Sequence, residues 1–142
     1  GFGANRNEFA TYQNTVRDKG GLKLKGSSDY EIRFAPGELP PVDAFWSITA
    51  YSETGYLVKN DAAEAAGLTR YALGTNSDLE TAEDGSVTLY LSHNLPEGVP
   101  LSNWLPVPEG RFALTLRMYA PEEPVLNGQW QAPPVKRIKG GF

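Results

Sequence analysis

Three predicted strands carry the same polar mixture on the side opposite their apolar residues: small hydroxyls, one tyrosine per strand and a single arginine. The trios are Ser47, Thr49 and Tyr51, then Thr88, Tyr90 and Ser92, then Thr115, Arg117 and Tyr119. Successive strand residues point to opposite faces, so each trio shares one side of its strand. Flat rings with polar tips, beside fixed hydrogen-bond donors, suit a sugar or another polar small ligand. We therefore predict a common ligand-binding groove lined by Tyr51, Tyr90, Arg117 and Tyr119.

The same residues also have a purely structural interpretation. Threonine and tyrosine are good strand formers on any half-exposed face. Arg70 and Arg117 lie inside strand-like patterns, where a buried guanidinium requires a partner, and Asp43 is a candidate carboxylate for either. Trp46, in the middle of a predicted strand, is expected in the core, and Trp104 is expected to pin a long loop to the domain. On this interpretation Asp43, Trp46, Arg70 and Trp104 are structural residues.

No self-contained catalytic motif is present. A hydrolytic triad needs a histidine near a nucleophile and an acid. The only histidine is His93, and its neighbour Ser92 points to the opposite face if the strand continues through both. The sequence has no GxSxG elbow. One histidine with scattered carboxylates is also a weak metal-binding set. We predict no catalytic residue, no metal site and no cofactor.

One helix is predicted, at the N-terminus. Asn5 can cap it, and Glu8 follows at the spacing of a capping box. Phe9, Tyr12 and Val16 then form one apolar stripe at helical spacing. The predicted organisation is a helical segment over residues 1–17, followed by a sandwich over residues 18–142, together making a single domain.

Beyond residue 20 the apolar period changes to two, which is typical of half-buried strands. Strands are predicted at residues 30–34, 44–51, 69–73, 87–91, 112–118 and 135–138. A short helical turn is expected at 61–67, and Asp84-Gly85 is a hairpin-turn signal. Large side chains on both sides of 44–51 indicate a central strand covered on both faces. Short strands with regular turns favour a mainly β fold of two packed antiparallel sheets, similar to a jelly roll.

Composition excludes several classes of function. The chain has 142 residues, 13 basic and 17 acidic residues and no cysteine. Disulfides and cysteine-based zinc sites are therefore excluded. Basic residues form no stripe, so nucleic-acid binding is not expected. No apolar run approaches the roughly 18 residues of a membrane span. Residue 1 is glycine, so the sequence leaves open whether an N-terminal segment has been removed.

Five short runs, specific in their order along the chain, carry a family resemblance. They are residues 40–47 (PPVDAFWS), 70–71 (RY), 84–86 (DGS), 103–108 (NWLPVP) and 117–121 (RMYAP). Together they resemble the bacterial "domain of unknown function 1214" family, over about residues 18–138. The resemblance implies a jelly-roll-like sandwich, often the C-terminal half of a larger protein beside a "domain of unknown function 1254". It implies no enzymatic activity, and a periplasmic or cell-envelope location rests on it alone.

Three functional hypotheses stay open. The first is an exported binding or interaction module that works with a neighbouring domain or in a homo-oligomer. The second is a carboxylate- and arginine-dependent enzyme, or the accessory half of one, acting on a small or saccharide substrate. The third is a structural domain without a ligand of its own. The first is favoured because the sequence lacks a catalytic constellation.

Overall fold

Two four-stranded sheets enclose one apolar core. The computed structural model describes residues 10–57, 60–65, 67 and 71–140. Its elements, in chain order, are β1 (Ala10–Thr15), β2 (Ser28–Phe34), β3 (Val42–Ser52), α1 (Asp61–Ala65), β4 (Ala72–Gly74), β5 (Val87–Ser92), a 3₁₀ turn (Leu101–Asn103), β6 (Trp104–Pro106), β7 (Phe112–Pro121), α2 (Glu123–Leu126) and β8 (Lys136–Gly140). The mainly β, two-sheet prediction is confirmed.

The strand order defines the two sheets. The first sheet has the order β1-β7-β3-β4, and the second has the order β6-β5-β2-β8. Neighbours are antiparallel except β5 and β6, which run parallel from Tyr90–Trp104 to Ser92–Pro106. A jelly roll is built from antiparallel strands. The jelly-roll expectation is therefore not supported, because β6 joins its sheet in the parallel sense.

The core forms between the inward faces of the sheets. Along β7, buried and half-buried residues alternate from Phe112 to Tyr119, as the period of two predicts. Phe34 of β2 meets Trp46 of β3 with ring centroids 5.5 Å apart, which ties the sheets together. Five residues that the apolar alternation of β3, β5 and β7 places on one side are buried, which confirms the strand phases: Trp46, Ile48, Leu89, Leu114 and Leu116.

Over the described residues 10–17, the predicted N-terminal helix is wrong. Residues 10–15 form β1, which pairs antiparallel with β7 from Ala10–Tyr119 to Thr15–Leu114. The stripe that suggested a helix included Tyr12 and Val16, which are 55% and 50% exposed. Without β1, strand β7 would be a sheet edge with unpaired backbone groups, and pairing outweighs the weak helical spacing. Asn5, Glu8 and Phe9 lie outside the described residues.

The Asp84-Gly85 turn forms, but it does not make a hairpin. Gly85 adopts a φ of 89°, and the Asp84 carboxylate accepts bonds from the Ser86 backbone N–H and hydroxyl at 2.9 and 2.6 Å. These bonds lower the pKa of Asp84 below its ordinary value. The turn joins β4 of the first sheet to β5 of the second. It therefore carries the chain between sheets, which a local turn signal does not distinguish from a hairpin.

Helices are minor elements. The predicted helical turn corresponds to α1, and α2 near the end of β7 was not predicted. Within the part of the chain that the structure describes, no helix has the length and apolar character needed to cross a membrane.

A bulge ends the ladder between β3 and β7. Phe45 lies opposite Tyr119, but the next pair is Val42 with Pro121, so β3 carries extra residues there. Ala120 adopts a φ of 53°, which is uncommon for a residue with a Cβ atom. Bulges bend a strand and increase its twist. The flat part of the first sheet therefore ends at the Phe45–Tyr119 pair.

Leu114→Ala should lower the free energy of unfolding by about 2–5 kcal/mol, because it leaves a cavity between the sheets. Leu22, which is 57% exposed, gives the matched control, and Leu22→Ala should change that free energy by less than about 0.5 kcal/mol. Urea denaturation followed by tryptophan fluorescence measures both. Equal losses for the two variants would contradict the assigned core.

Candidate functional site

The outer side of the first sheet gathers most of the predicted ligand-binding residues. Tyr12 of β1 and Ser47 of β3 lie opposite Arg117 of β7 on either side. Because strand residues alternate between faces, one set of side chains shares this surface. We call it the open face, and its residues on β1, β3 and β7 are Tyr12, Asn14, Phe45, Ser47, Thr49, Tyr51, Ala113, Thr115, Arg117 and Tyr119.

Arg117 is half-buried at the centre of the open face. Its Nη1 donates to Thr49 Oγ1 at 3.2 Å, and its Nη2 donates to Tyr51 OH at 2.5 Å. Its Cζ lies 5.8 Å from the ring centroid of Tyr12 and 5.5 Å from that of Tyr51. These separations are within the range of cation–π attraction. Two tyrosine rings and two hydroxyls therefore fix the guanidinium in place.

Arg117 is the only charged residue among the open-face residues defined above. Two of its five N–H donors reach partners in the described chain, at Thr49 and Tyr51. A shallow concavity of about 600 Å³ extends from Tyr12 and Arg117, past Tyr51, to the turn that follows β3. A cation with unused donors, flanked by rings, is chemically suited to hold an anionic or polyhydroxyl group.

Glu53 is the carboxylate at the edge of this concavity. It belongs to the turn that follows β3, and its Oε1 lies 3.7 Å from Nη1 of Arg111. Both side chains are more than half exposed, so the contact is a weak surface ion pair. Glu53 is therefore a carboxylate that borders the same concavity as Arg117 and is weakly paired with Arg111.

A second aromatic group marks the far end of the open face. Tyr119 and Phe45 stack with centroids 4.2 Å apart and planes inclined by 27°. Phe45 is 39% exposed. The expectation that β3 is covered on both faces is therefore wrong: its inner face is buried, and its outer face belongs to the open face.

Tyr90 does not join the other three predicted ligand-binding residues. It lies on β5 in the second sheet, whereas Tyr51, Arg117 and Tyr119 lie on β3 and β7 in the first. It lines a separate depression of about 550 Å³ with Asp29. The prediction of one groove shared by all four is wrong, because strand composition does not reveal sheet membership.

The structure describes two of the three residues that were expected to form an arginine–carboxylate pair. Asp43 lies in the bulged part of β3 and is exposed. Arg70 lies outside the described residues. Within the described chain the partners of Arg117 are hydroxyls and tyrosine rings, so the expectation of a carboxylate partner is wrong for Arg117.

The two tryptophans expected to be structural are buried. Trp46 is 5% exposed, and its backbone N–H donates to Thr75 Oγ1 at 2.9 Å. Trp104 is fully buried, and its Nε1 donates to Ser92 Oγ at 2.9 Å. Trp104 thus connects the end of the long loop to β5.

Polar residues near the single histidine hold loops together. His93 Nδ1 donates to the Val107 carbonyl at 2.9 Å, and the buried Asn60 amide donates to the His93 carbonyl at 2.7 Å. Ser92 Oγ donates to the Asn94 carbonyl. This arrangement is a loop anchor. Within residues 10–57, 60–65, 67 and 71–140, histidine and carboxylates form no group of three that could hold a metal ion.

Sequence reasoning missed Tyr12, Asn14 and Asn103. Tyr12 and Asn14 were assigned to the helical segment, although their alternation in ATYQNT fits a strand equally well. Asn103 is buried, and its amide exchanges two bonds with the Glu80 backbone and donates to the Thr88 carbonyl. Nothing local distinguishes such an asparagine from a loop residue.

The fold and the open face define a β sandwich with an aromatic and arginine-bearing surface. Residues 9–123 match the family model described as "Protein of unknown function (DUF1214)", and the chain belongs to that family. This confirms the resemblance.

Solved structures that are similar to this chain include two larger proteins. The VPA0106 protein from Vibrio parahaemolyticus is 33% identical, with a TM-score of 0.76 over 92% of this chain and 31% of its own. An uncharacterized protein from Burkholderia cenocepacia is 20% identical, with a TM-score of 0.52 over 91% of this chain and 29% of its own, which shows the fold alone. The chain thus spans about a third of each. No curated protein matches it.

Tyr51→Phe should lower the free energy of unfolding by about 1 kcal/mol, because Arg117 loses a hydroxyl acceptor. Tyr119→Phe is the matched control, since the Tyr119 ring stacks on Phe45 and stacking does not require its hydroxyl. That control should change the free energy by less than about 0.5 kcal/mol. Chemical denaturation measures both. A Tyr51→Phe variant as stable as wild type would show that the hydroxyl does not hold Arg117.

Proposed function

We propose that this chain is a binding domain whose open face takes a saccharide or another polar small ligand. The observation that carries the proposal is the state of Arg117. Its guanidinium is half-buried between the rings of Tyr12 and Tyr51 and is held by the hydroxyls of Thr49 and Tyr51.

A purely structural arginine would be expected to have a different environment. Partial removal of a guanidinium from water is costly, and structural arginines are usually compensated by a carboxylate. On the open face the compensation within the described chain comes from hydroxyls and ring faces, and three of the five N–H donors have no partner there. Tyr12 keeps 55% of its surface exposed beside them. A fixed cation next to an accessible ring supports a binding role.

We further propose that the domain works beside a neighbouring domain. The chain covers 31% of the Vibrio protein and 29% of the Burkholderia protein, so comparable domains occur within larger chains. A ligand held on the open face could then be presented to the rest of such a protein.

The test is a panel of neutral and charged saccharides titrated into ¹⁵N-labelled protein. Ligand-dependent shifts should appear in the amides around Tyr12, Tyr51 and Arg117. Tyr12→Ala should weaken binding by about tenfold, because it removes an exposed aromatic contact. Tyr90→Ala removes a tyrosine from the other sheet and should leave the affinity unchanged.

A panel that shifts no amide of the open face would overturn the proposal. Equal loss of binding in Tyr12→Ala and Tyr90→Ala would do so too, since the two residues lie on opposite sheets. Circular dichroism of both variants checks that each retains the strand content of the wild type.

A further inference from the structure

The geometry points to an acidic oligosaccharide as the ligand, lying along the strands with a carboxylate at Arg117. This inference rests on the proposed function and narrows it in two ways: the ligand carries negative charge, and it extends over several sugar rings. The charge, the hydrogen-bond donors and the spacing of aromatic side chains on the open face carry the argument.

Charge supports an anion at the centre of the face. The open-face residues include one cation and no carboxylate, and Glu53, which borders the same concavity, lies 3.7 Å from Nη1 of Arg111. Thr49 and Tyr51 occupy one N–H on each terminal nitrogen of Arg117, and neither of these partners carries a negative charge. Charge-assisted hydrogen bonds to a carboxylate are roughly twice as strong as neutral ones. A carboxylate therefore gains more at Arg117 than a sugar hydroxyl does.

The guanidinium is also held in a fixed orientation. Its plane is set by two hydrogen bonds, and the rings of Tyr12 and Tyr51 lie near it. A fixed donor fork loses little conformational freedom when a ligand binds. Lysine at this position could supply charge but not the planar fork. The site therefore distinguishes a planar carboxylate from a diffuse negative charge.

Aromatic side chains lie at two places along the open face. The rings of Tyr12 and Tyr51 flank Arg117, and the Phe45–Tyr119 stack lies two positions further along β7. Two strand positions span about 7 Å at the usual strand rise. The apolar side of a sugar ring can pack on an aromatic ring. Rings at two places therefore favour a chain of sugars over a single one.

The edge strand β4 adds no large side chain to the outer side of the first sheet. β4 pairs with β3 through Ala72–Thr49 and Gly74–Ser47, so it adds only small residues to the outer side. At Gly74 a Cβ atom would lie 2.0 Å from the Trp46 carbonyl oxygen, which keeps this position free of a side chain. Among the described residues, β4 therefore places no large side chain on the outer side of the sheet.

The experiment is isothermal titration calorimetry of the whole chain with a uronic-acid tetrasaccharide and with the methyl ester of the same tetrasaccharide. The two probes share shape and hydroxyls and differ in charge. The acid should bind at least about tenfold more tightly than the ester, and its affinity should fall as salt is raised. A single uronic acid should bind at least about tenfold more weakly than the tetrasaccharide.

Three variants test whether Arg117 is responsible for the preference for the acid over the ester. Arg117→Gln should bring the acid-to-ester affinity ratio close to one. Tyr12→Ala should weaken both ligands by a similar factor and keep the ratio. Tyr90→Ala, on the other sheet, should change neither affinity nor ratio. If Arg117→Gln does not fold, the comparison of acid and ester on the wild-type chain still decides the charge requirement.

Each of the remaining possible results would overturn a defined part of the inference about the ligand. Equal affinity for acid and ester would end the charge inference and leave the binding domain standing. A single uronic acid binding as tightly as the tetrasaccharide would end the extended-ligand inference. Absence of binding by either tetrasaccharide would end the acidic-oligosaccharide inference, and the full saccharide panel then decides the proposed function separately. Dimerisation lost in Tyr12→Ala, measured by sedimentation velocity, would show that the face contacts a second copy and would overturn both.

Discussion

The antiparallel pairing of β3 with β7 is the interaction on which the rest of the structure depends. It runs in continuous register from Phe45–Tyr119 to Ser52–Phe112. Because side chains alternate with a period of two, this one register sends Leu114, Leu116 and Met118 into the core and Thr115, Arg117 and Tyr119 outward. A slip by one residue would exchange the two sets. Burial of the inner set therefore fixes the composition of the open face.

Two polar side chains of the open face are partly removed from water, and hydrogen bonds to their neighbours offset the cost. Thr49 is 7% exposed, although it lies on the outer side of the sheet, and Arg117 is half-buried beside it. Unpaired, these groups would be costly to remove from water. Their mutual hydrogen bond and the bond to Tyr51 offset part of this cost without a carboxylate. The result is a cation that is positioned by its neighbours and keeps its charge available.

Much of the fold follows from alternation in the sequence, and some of it does not. The phases of β2, β3, β5 and β7 are readable because one face of each must be apolar. The sheet to which each strand belongs depends on pairing between distant segments, so Tyr90 could not be separated from Tyr51 and Tyr119 in advance. Residues 10–15 look helical by the spacing of Tyr12 and Val16 alone. Their pairing with β7 is a tertiary effect that local spacing does not contain. The hydroxyl partners of Arg117 are equally invisible, since Tyr51 is not directly opposite it.

The most direct test of this account is to observe where ligand protons lie. We would measure intermolecular nuclear Overhauser effects between an unlabelled uronic-acid tetrasaccharide and the ¹³C-labelled chain. The account predicts contacts from sugar ring protons to the rings of Tyr12 and Tyr51, and none to the ring of Tyr90. Contacts to Tyr90 instead, or none to the open face at saturating ligand, would contradict it.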